Sequence, residues 1–197
     1  MVYGKDLFIG LFNNLALLIV FIAIYGYLYN TLRTRGWVRR QLINGLIFTV
    51  FVFGCMQVRI PVSEGVIVDQ RNAIVILSGV YGGPLAAIIS ACFAAAYRIH
   101  LGGIGIYGGV LGVTLSMLTG IVVYRYRDRI DSIWKGACVS LAATVFILPG
   151  FLPIRNLEHG WNLLKAMAVP YGTAVFLGIF LGGLLLYNEE KRWRTQE

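Results

Sequence analysis

Apolar residues fill six stretches of the chain, 7–29, 42–56, 73–97, 104–124, 136–148 and 163–187, and only short polar connectors separate them. A helix needs about 20 apolar residues to cross a bilayer core, so this pattern predicts an all-α integral membrane fold. None of the connectors can hold a soluble domain of ordinary size. The first stretch is too long for the apolar core of a cleavable signal and carries its positive charges behind it, so it reads as a retained span.

The third stretch differs from the others. Arg71 and Arg98 bracket an uncharged segment whose middle is interrupted by Gly82-Gly83-Pro84. Counting all six stretches as crossings would put the first and last basic connectors on opposite sides of the membrane, against the rule that basic connectors are cytoplasmic. The conflict disappears if 73–97 is a re-entrant hairpin with arms of about nine and thirteen residues, which reach only about 14 and 20 Å into a core of about 30 Å. The expectation is then five spanning helices plus a Gly-Gly-Pro-broken segment, with the N-terminus outside and the C-terminus in the cytoplasm. The competing reading is one kinked spanning helix with Pro84 in the first turn of its second half. A re-entrant break is tolerated only where protein or a water-filled cavity covers the freed backbone groups, so a hairpin here predicts a pocket.

Composition and charge sharpen this picture. Hydrophobic residues make up 58% of the chain and charged residues 13%, and the mean hydropathy is +0.74, far from a soluble domain. The net charge of +8 lies in three clusters: Arg33, Arg35, Arg39 and Arg40; Arg125, Arg127, Arg129 and Lys135; Lys191, Arg192 and Arg194. Each cluster abuts an apolar stretch, the pattern of cytoplasmic loops beside lipid and not of a nucleic-acid groove. Cys55, Cys92 and Cys138 sit inside apolar stretches without metal-ligand spacing and read as small packing residues.

The chemistry-bearing motifs are few. Gly103, Gly105 and Gly108 match a dinucleotide fingerprint, but no strand precedes them and no acid follows at the distance that holds a ribose. Gly105, Gly109 and Gly112 read better as a helix-packing face, the spacing of four allowing close approach of backbones. Gly79 with Gly83 and Gly178 with Gly182 share that spacing. There is no catalytic constellation, metal cluster or cofactor motif, so no enzyme activity is expected of this chain.

The candidate site is therefore a binding site. Arg71 with nearby Asp69, and Arg98 followed by His100, Gly102 and Gly103, fall on one outer face under the hairpin topology. Two guanidinium groups that converge select a small carboxylate or phosphate through paired hydrogen bonds, and a glycine run lets a ligand approach the backbone. The plainer reading is a pair of interfacial arginines reaching for water. A ligand bridging the two is expected to shift the glycine-rich helix against the last span.

Taken in order, Gly65 to Arg71, Gly82-Gly83-Pro84, Tyr97-Arg98 and Leu101 to Gly105 resemble the signature of the five-transmembrane receptors of the LytS-YhcK type. The resemblance implies a sensory domain over 1–190 in a bacterial inner membrane, with 191–197 beginning a cytoplasmic linker to an output domain outside this chain. It further implies a homodimer, and an output that is a diguanylate cyclase or a histidine kinase, with Pro61 to Val66 closer to the cyclase branch. Kinase members are linked to small carboxylates such as pyruvate, and Arg71 and Arg98 stand at the matching positions. This chain has Gly109 and Gly112 on the following helix in place of a polar lining. The alternative function is a solute-binding membrane subunit or transporter, since the family fold resembles capture components of vitamin uptake systems.

Overall fold

The computed structural model describes residues 5–33, 36–63 and 65–194; Arg35, Glu64 and 195–197, with the side chains of Arg33 and Arg194, lie outside the described residues. The chain is a multi-pass all-α membrane protein. Among the described residues, six helices are long and apolar enough to cross a membrane: Leu7–Leu28, Trp37–Gln57, Pro84–Leu101, Ile106–Arg129, Ile133–Phe151 and Leu157–Arg192. In chain order the elements are α1 (Lys5–Arg33), α2 (Trp37–Gln57), strands β1 (Ile60–Ser63) and β2 (Val66–Val68), α3 (Arg71–Leu77), α4 (Pro84–Leu101), α5 (Ile106–Tyr126), α6 (Ile133–Ile147) and α7 (Leu157–Arg194).

The Gly-Gly-Pro break reverses the chain. After α3 a π-helical turn, Ser78–Gly82, leads to Gly83 at φ +98, a conformation that favours glycine, and Pro84 opens α4 in the first turn, where its missing N–H costs nothing. The two arms return to the same end of the bundle. Gln57 at the end of α2 donates to Tyr97 near the end of α4 (2.8 Å), whereas Gln41 at the start of α2 accepts from Leu85 N at the tip (2.9 Å).

The arms are longer than the sequence suggests. The first covers Arg71–Leu77 and the π turn, and the second has 18 residues, enough for a rise of about 27 Å. The second arm is the extra span-length helix beyond the five crossings expected. It runs on through Arg98 because that side chain is buried against backbone carbonyls, so the charge does not end the helix.

Polar side chains satisfy the backbone groups that the break exposes. The helix breaks at Gly83, and Arg127 Nη1 donates to the carbonyl of Val80 in the preceding turn (3.2 Å). The same guanidinium pairs with Glu190 of α7 through Nη2 (2.7 Å), and Tyr81 OH donates to the carbonyl of Gly183 (2.7 Å). The hairpin tip is thus tied to α7 near the end that carries Arg39, Arg40, Arg125, Arg129, Lys135, Lys191 and Arg192. Arg59, Arg71 and Arg98 lie at the other end.

Two features were not anticipated. β1 and β2 form an antiparallel hairpin that pairs Ile60 with Val68 and Pro61 with Ile67, and its alternation puts Ile60, Val62, Val66 and Val68 into the core. The last helix packs on α1, α3 and α6, and the glycine-rich α5 packs on α3, α4 and α6. The expected contact of α5 with the last span is thereby replaced by α3, because Gly178 and Gly182 open a groove for Gln70, Ala73 and Leu77. Of the cysteines only Cys55 is buried; Cys92 and Cys138 are exposed on the apolar surface.

Candidate ligand site

The residues Asp69-Gln70-Arg71-Asn72 open α3 directly beneath the β-hairpin, and all four are buried. Burying such a polar run is unfavourable unless each group finds a partner. Part of the demand is met locally. Asp69 Oδ1 accepts from the backbone N–H of Arg71 at 3.0 Å, while Asp69 Oδ2 lies 3.5 Å from Arg71 Nη1, an ion pair longer than a hydrogen bond. Asn72 Nδ2 donates to the hydroxyl of Tyr171 in α7 at 2.9 Å.

Asp69, Arg71 and Asn72 line a cavity of about 40 Å³ with β2, with Gly105, Gly108, Gly109 and Gly112 of α5, and with Phe151, Ile154 and Tyr171, whereas Gln70 lies against Gly178 of α7. One water occupies roughly 10–15 Å³ on this measure, so the space suits about three water-sized groups. Arg71 Nε and Nη1, Asp69 Oδ2 and Asn72 Oδ1 are buried without a hydrogen-bond partner among the described residues.

Arg98 plays a different part from Arg71. It is 1% exposed, and its Nη1 and Nη2 donate to the carbonyls of Gly102 (2.6 Å) and Gly65 (3.0 Å). Its fork therefore clamps the β-hairpin turn onto the α4–α5 loop, and Gly105 N–H adds a third bond to Gly65 O (3.1 Å). Arg98 is buried in the same end of the bundle as Arg71 and Asp69. Two guanidinium groups and one carboxylate leave this buried group with one net positive charge.

The glycines make the approach possible. A Cβ on Gly109 would stand 2.9 Å from Arg98 Cγ and Nε, one on Gly105 2.8 Å from Arg98 Nη2, and one on Gly112 3.2 Å from Asn72 Nδ2. Gly103 packs its Cα against Gly65, and both have positive φ, so this run serves a backbone crossing. His100 is exposed and stacked on Tyr97 with ring centroids 6.1 Å apart; it does not line the cavity. Sequence reasoning passed over Asn72 and Tyr171. The signal for Asn72 was its place in an unbroken polar run, and Tyr171 follows Pro170 in the middle of an apolar span.

The chain matches the model of the family described as the 5TMR of 5TMR-LYT over residues 25–189, and it belongs to that family. Among curated proteins it is similar to the sensor protein LytS of Staphylococcus saprophyticus, 30% identical over 131 residues. It is also similar to the LytS sensors of Staphylococcus haemolyticus, 25% identical over 131 residues, and Staphylococcus epidermidis, 30% identical over 132 residues. Each alignment covers 61% of this chain and 22% of the relative, so the chain spans about a fifth of the length of those proteins. No solved structure matches it.

Proposed function

We propose that this chain is the signal-receiving membrane domain of a sensor and that its ligand is a small monocarboxylate held by Arg71. One observation carries the reading: buried Arg71, whose Nε and Nη1 have no hydrogen-bond partner, lines the cavity with Asp69, and the second cation, Arg98, packs behind Gly105 and Gly109 of its wall. A monoanion neutralises the charge, and a carboxylate matches the guanidinium fork. Asn72 and the Tyr171 hydroxyl complete the polar lining, and the volume favours acids of two or three carbons, pyruvate among them.

The basic clusters favour a topology with the Arg127 end in the cytoplasm and the Arg71 cavity toward the outer face. Residues 1–190 then form the sensory domain, with α7 continuing as far as Arg194 toward a linker. Binding that pulls Arg71 moves α3, which touches α7 directly through Asn72–Tyr171. Pro170 removes a backbone hydrogen bond from α7 one residue before Tyr171, which makes that point the natural place for α7 to bend. Such a switch needs different affinities in two states, and a closed site around a charged anion supplies them. The likeness to LytS sensors favours a histidine kinase output over a diguanylate cyclase, acting as a homodimer. A site near one end of the bundle favours reception over transport, which places its site near the midplane.

The test is a calorimetric titration of the purified chain with formate, acetate, pyruvate, succinate and citrate. Binding that peaks at two to three carbons and fails for citrate supports the reading. Equal binding of all five, or of none, removes it.

A further inference from the structure

A second and larger cavity lies at the opposite end of the bundle and shares no lining residue with the Arg71 site. It measures about 630 Å³, within the usual range of ligand pockets, and lies between the hairpin tip, α5, α6 and α7. Its inner wall is apolar, with Ile76, Val80, Ala143, Ile179 and Phe180. Its rim is charged: Arg127 and Lys191 stand beside Asp128, Asp131 and Glu190.

Two glycines show that this space is not a packing fault between side chains. A Cβ on Gly136 of α6 would meet nothing within 4 Å, and one on Gly183 of α7 would meet only Tyr81 OH at 3.8 Å. Both glycines line the cavity. An apolar interior in line with the spans, ending at a charged rim on the basic end, has the polarity profile of a membrane amphiphile.

We propose that this cleft holds an acyl chain of a phospholipid whose headgroup joins a phosphate to a primary ammonium. The phosphate lies toward Arg127 and Lys191, and the ammonium toward the exposed carboxylate of Asp128. The mixed rim selects this headgroup. Asp131 and Glu190 are already paired with Lys135 (2.6 Å) and Arg127 (2.7 Å), so a headgroup with only negative charge would face Asp128, and a quaternary ammonium has no N–H to donate to it. Arg127 keeps its bonds to Val80 O and Glu190, and its Nε, 4.0 Å from Asp128, is directed to the rim. A lipid seated there sets the spacing of α6 and α7 beside the tail of α7.

The test is native mass spectrometry of the full chain in detergent, with dioleoyl phosphatidylethanolamine, phosphatidylglycerol or phosphatidylcholine added. Phosphatidylethanolamine is expected to bind about fivefold more tightly than the other two, the scale of a few partly exposed charge contacts. Gly136→Trp and Gly183→Leu fill the cleft from opposite walls and each weaken that binding about tenfold, the loss of two or three buried methylenes. Val169→Trp, on the exposed face of α7, leaves it unchanged. Should one filling variant fail to fold, the other carries the test. Unchanged retention in a folded filling variant overturns the site, and equal affinity for the three lipids overturns the headgroup assignment.

Discussion

Asn72 Nδ2 donates to the Tyr171 hydroxyl over 2.9 Å, a buried bond between the first turn of α3 and α7 that spans 99 positions of sequence. It is the direct polar link between the candidate site and the helix that leaves the domain. Because Asn72 donates, the hydroxyl hydrogen of Tyr171 remains available to a ligand.

Tyr171→Phe leaves the Asn72 amide buried and unpaired, which costs about 1–3 kcal/mol. Asn72→Leu removes the other partner, and the double variant is less destabilised than the sum of the two. Thermal unfolding of the four proteins in one detergent measures the coupling. Strictly additive losses would mean that the bond contributes nothing to the α3–α7 contact.

Gly109→Leu forces a side chain into the stem of Arg98, whereas Val110→Leu enlarges a residue that already has a Cβ. Overpacking of this kind costs about 1–3 kcal/mol. The first substitution lowers the melting temperature and weakens carboxylate binding, and the second changes both little. Equal tolerance of the two would show that the close approach of α5 to Arg98 is not required.

Arg98→Ala leaves the carbonyl of Gly102 without this donor and that of Gly65 with the Gly105 N–H alone, and is expected to destabilise the fold by about 1–3 kcal/mol. Hydrogen exchange reads this locally, since the Gly105 amide is held by Gly65 O. Exchange there rises strongly in Arg98→Ala and partly in Arg98→Lys. Unchanged exchange in both would return Arg98 to the role of a ligand-binding group alone.

Much of this was legible in the sequence, for physical reasons. Span-length apolar runs have few ways to fold in a bilayer, and Gly82-Gly83-Pro84 marks the reversal because only glycine adopts the φ of Gly83 freely. The charge rule then brought Arg71 and Arg98 to one end. It did not reveal that Arg98 spends its fork on backbone carbonyls, because the β-hairpin that supplies Gly65 is built from runs too short to stand out against the apolar background. Nor did spacing reveal the neighbours of the glycine face, since a small-residue face says that something approaches without saying what. Tyr171 was hidden by distance along the chain.

Orientation is tested by labelling in sealed vesicles, in a background without the exposed Cys92 and Cys138. His100→Cys reacts with an impermeant reagent added outside, and Asp128→Cys reacts only after the membrane is opened. The reverse result would place the Arg71 cavity toward the cytoplasm.

The central claim is that Arg71 holds a small monocarboxylate in a buried cavity, and calorimetric titration of pyruvate into wild type, Arg71→Lys and Arg71→Ala tests it most directly. Loss of charged hydrogen bonds worth about 1.5–3 kcal/mol predicts affinity roughly ten- to a hundredfold lower for Arg71→Ala, with Arg71→Lys in between and all three proteins folded. Wild-type affinity retained by folded Arg71→Ala would contradict the account.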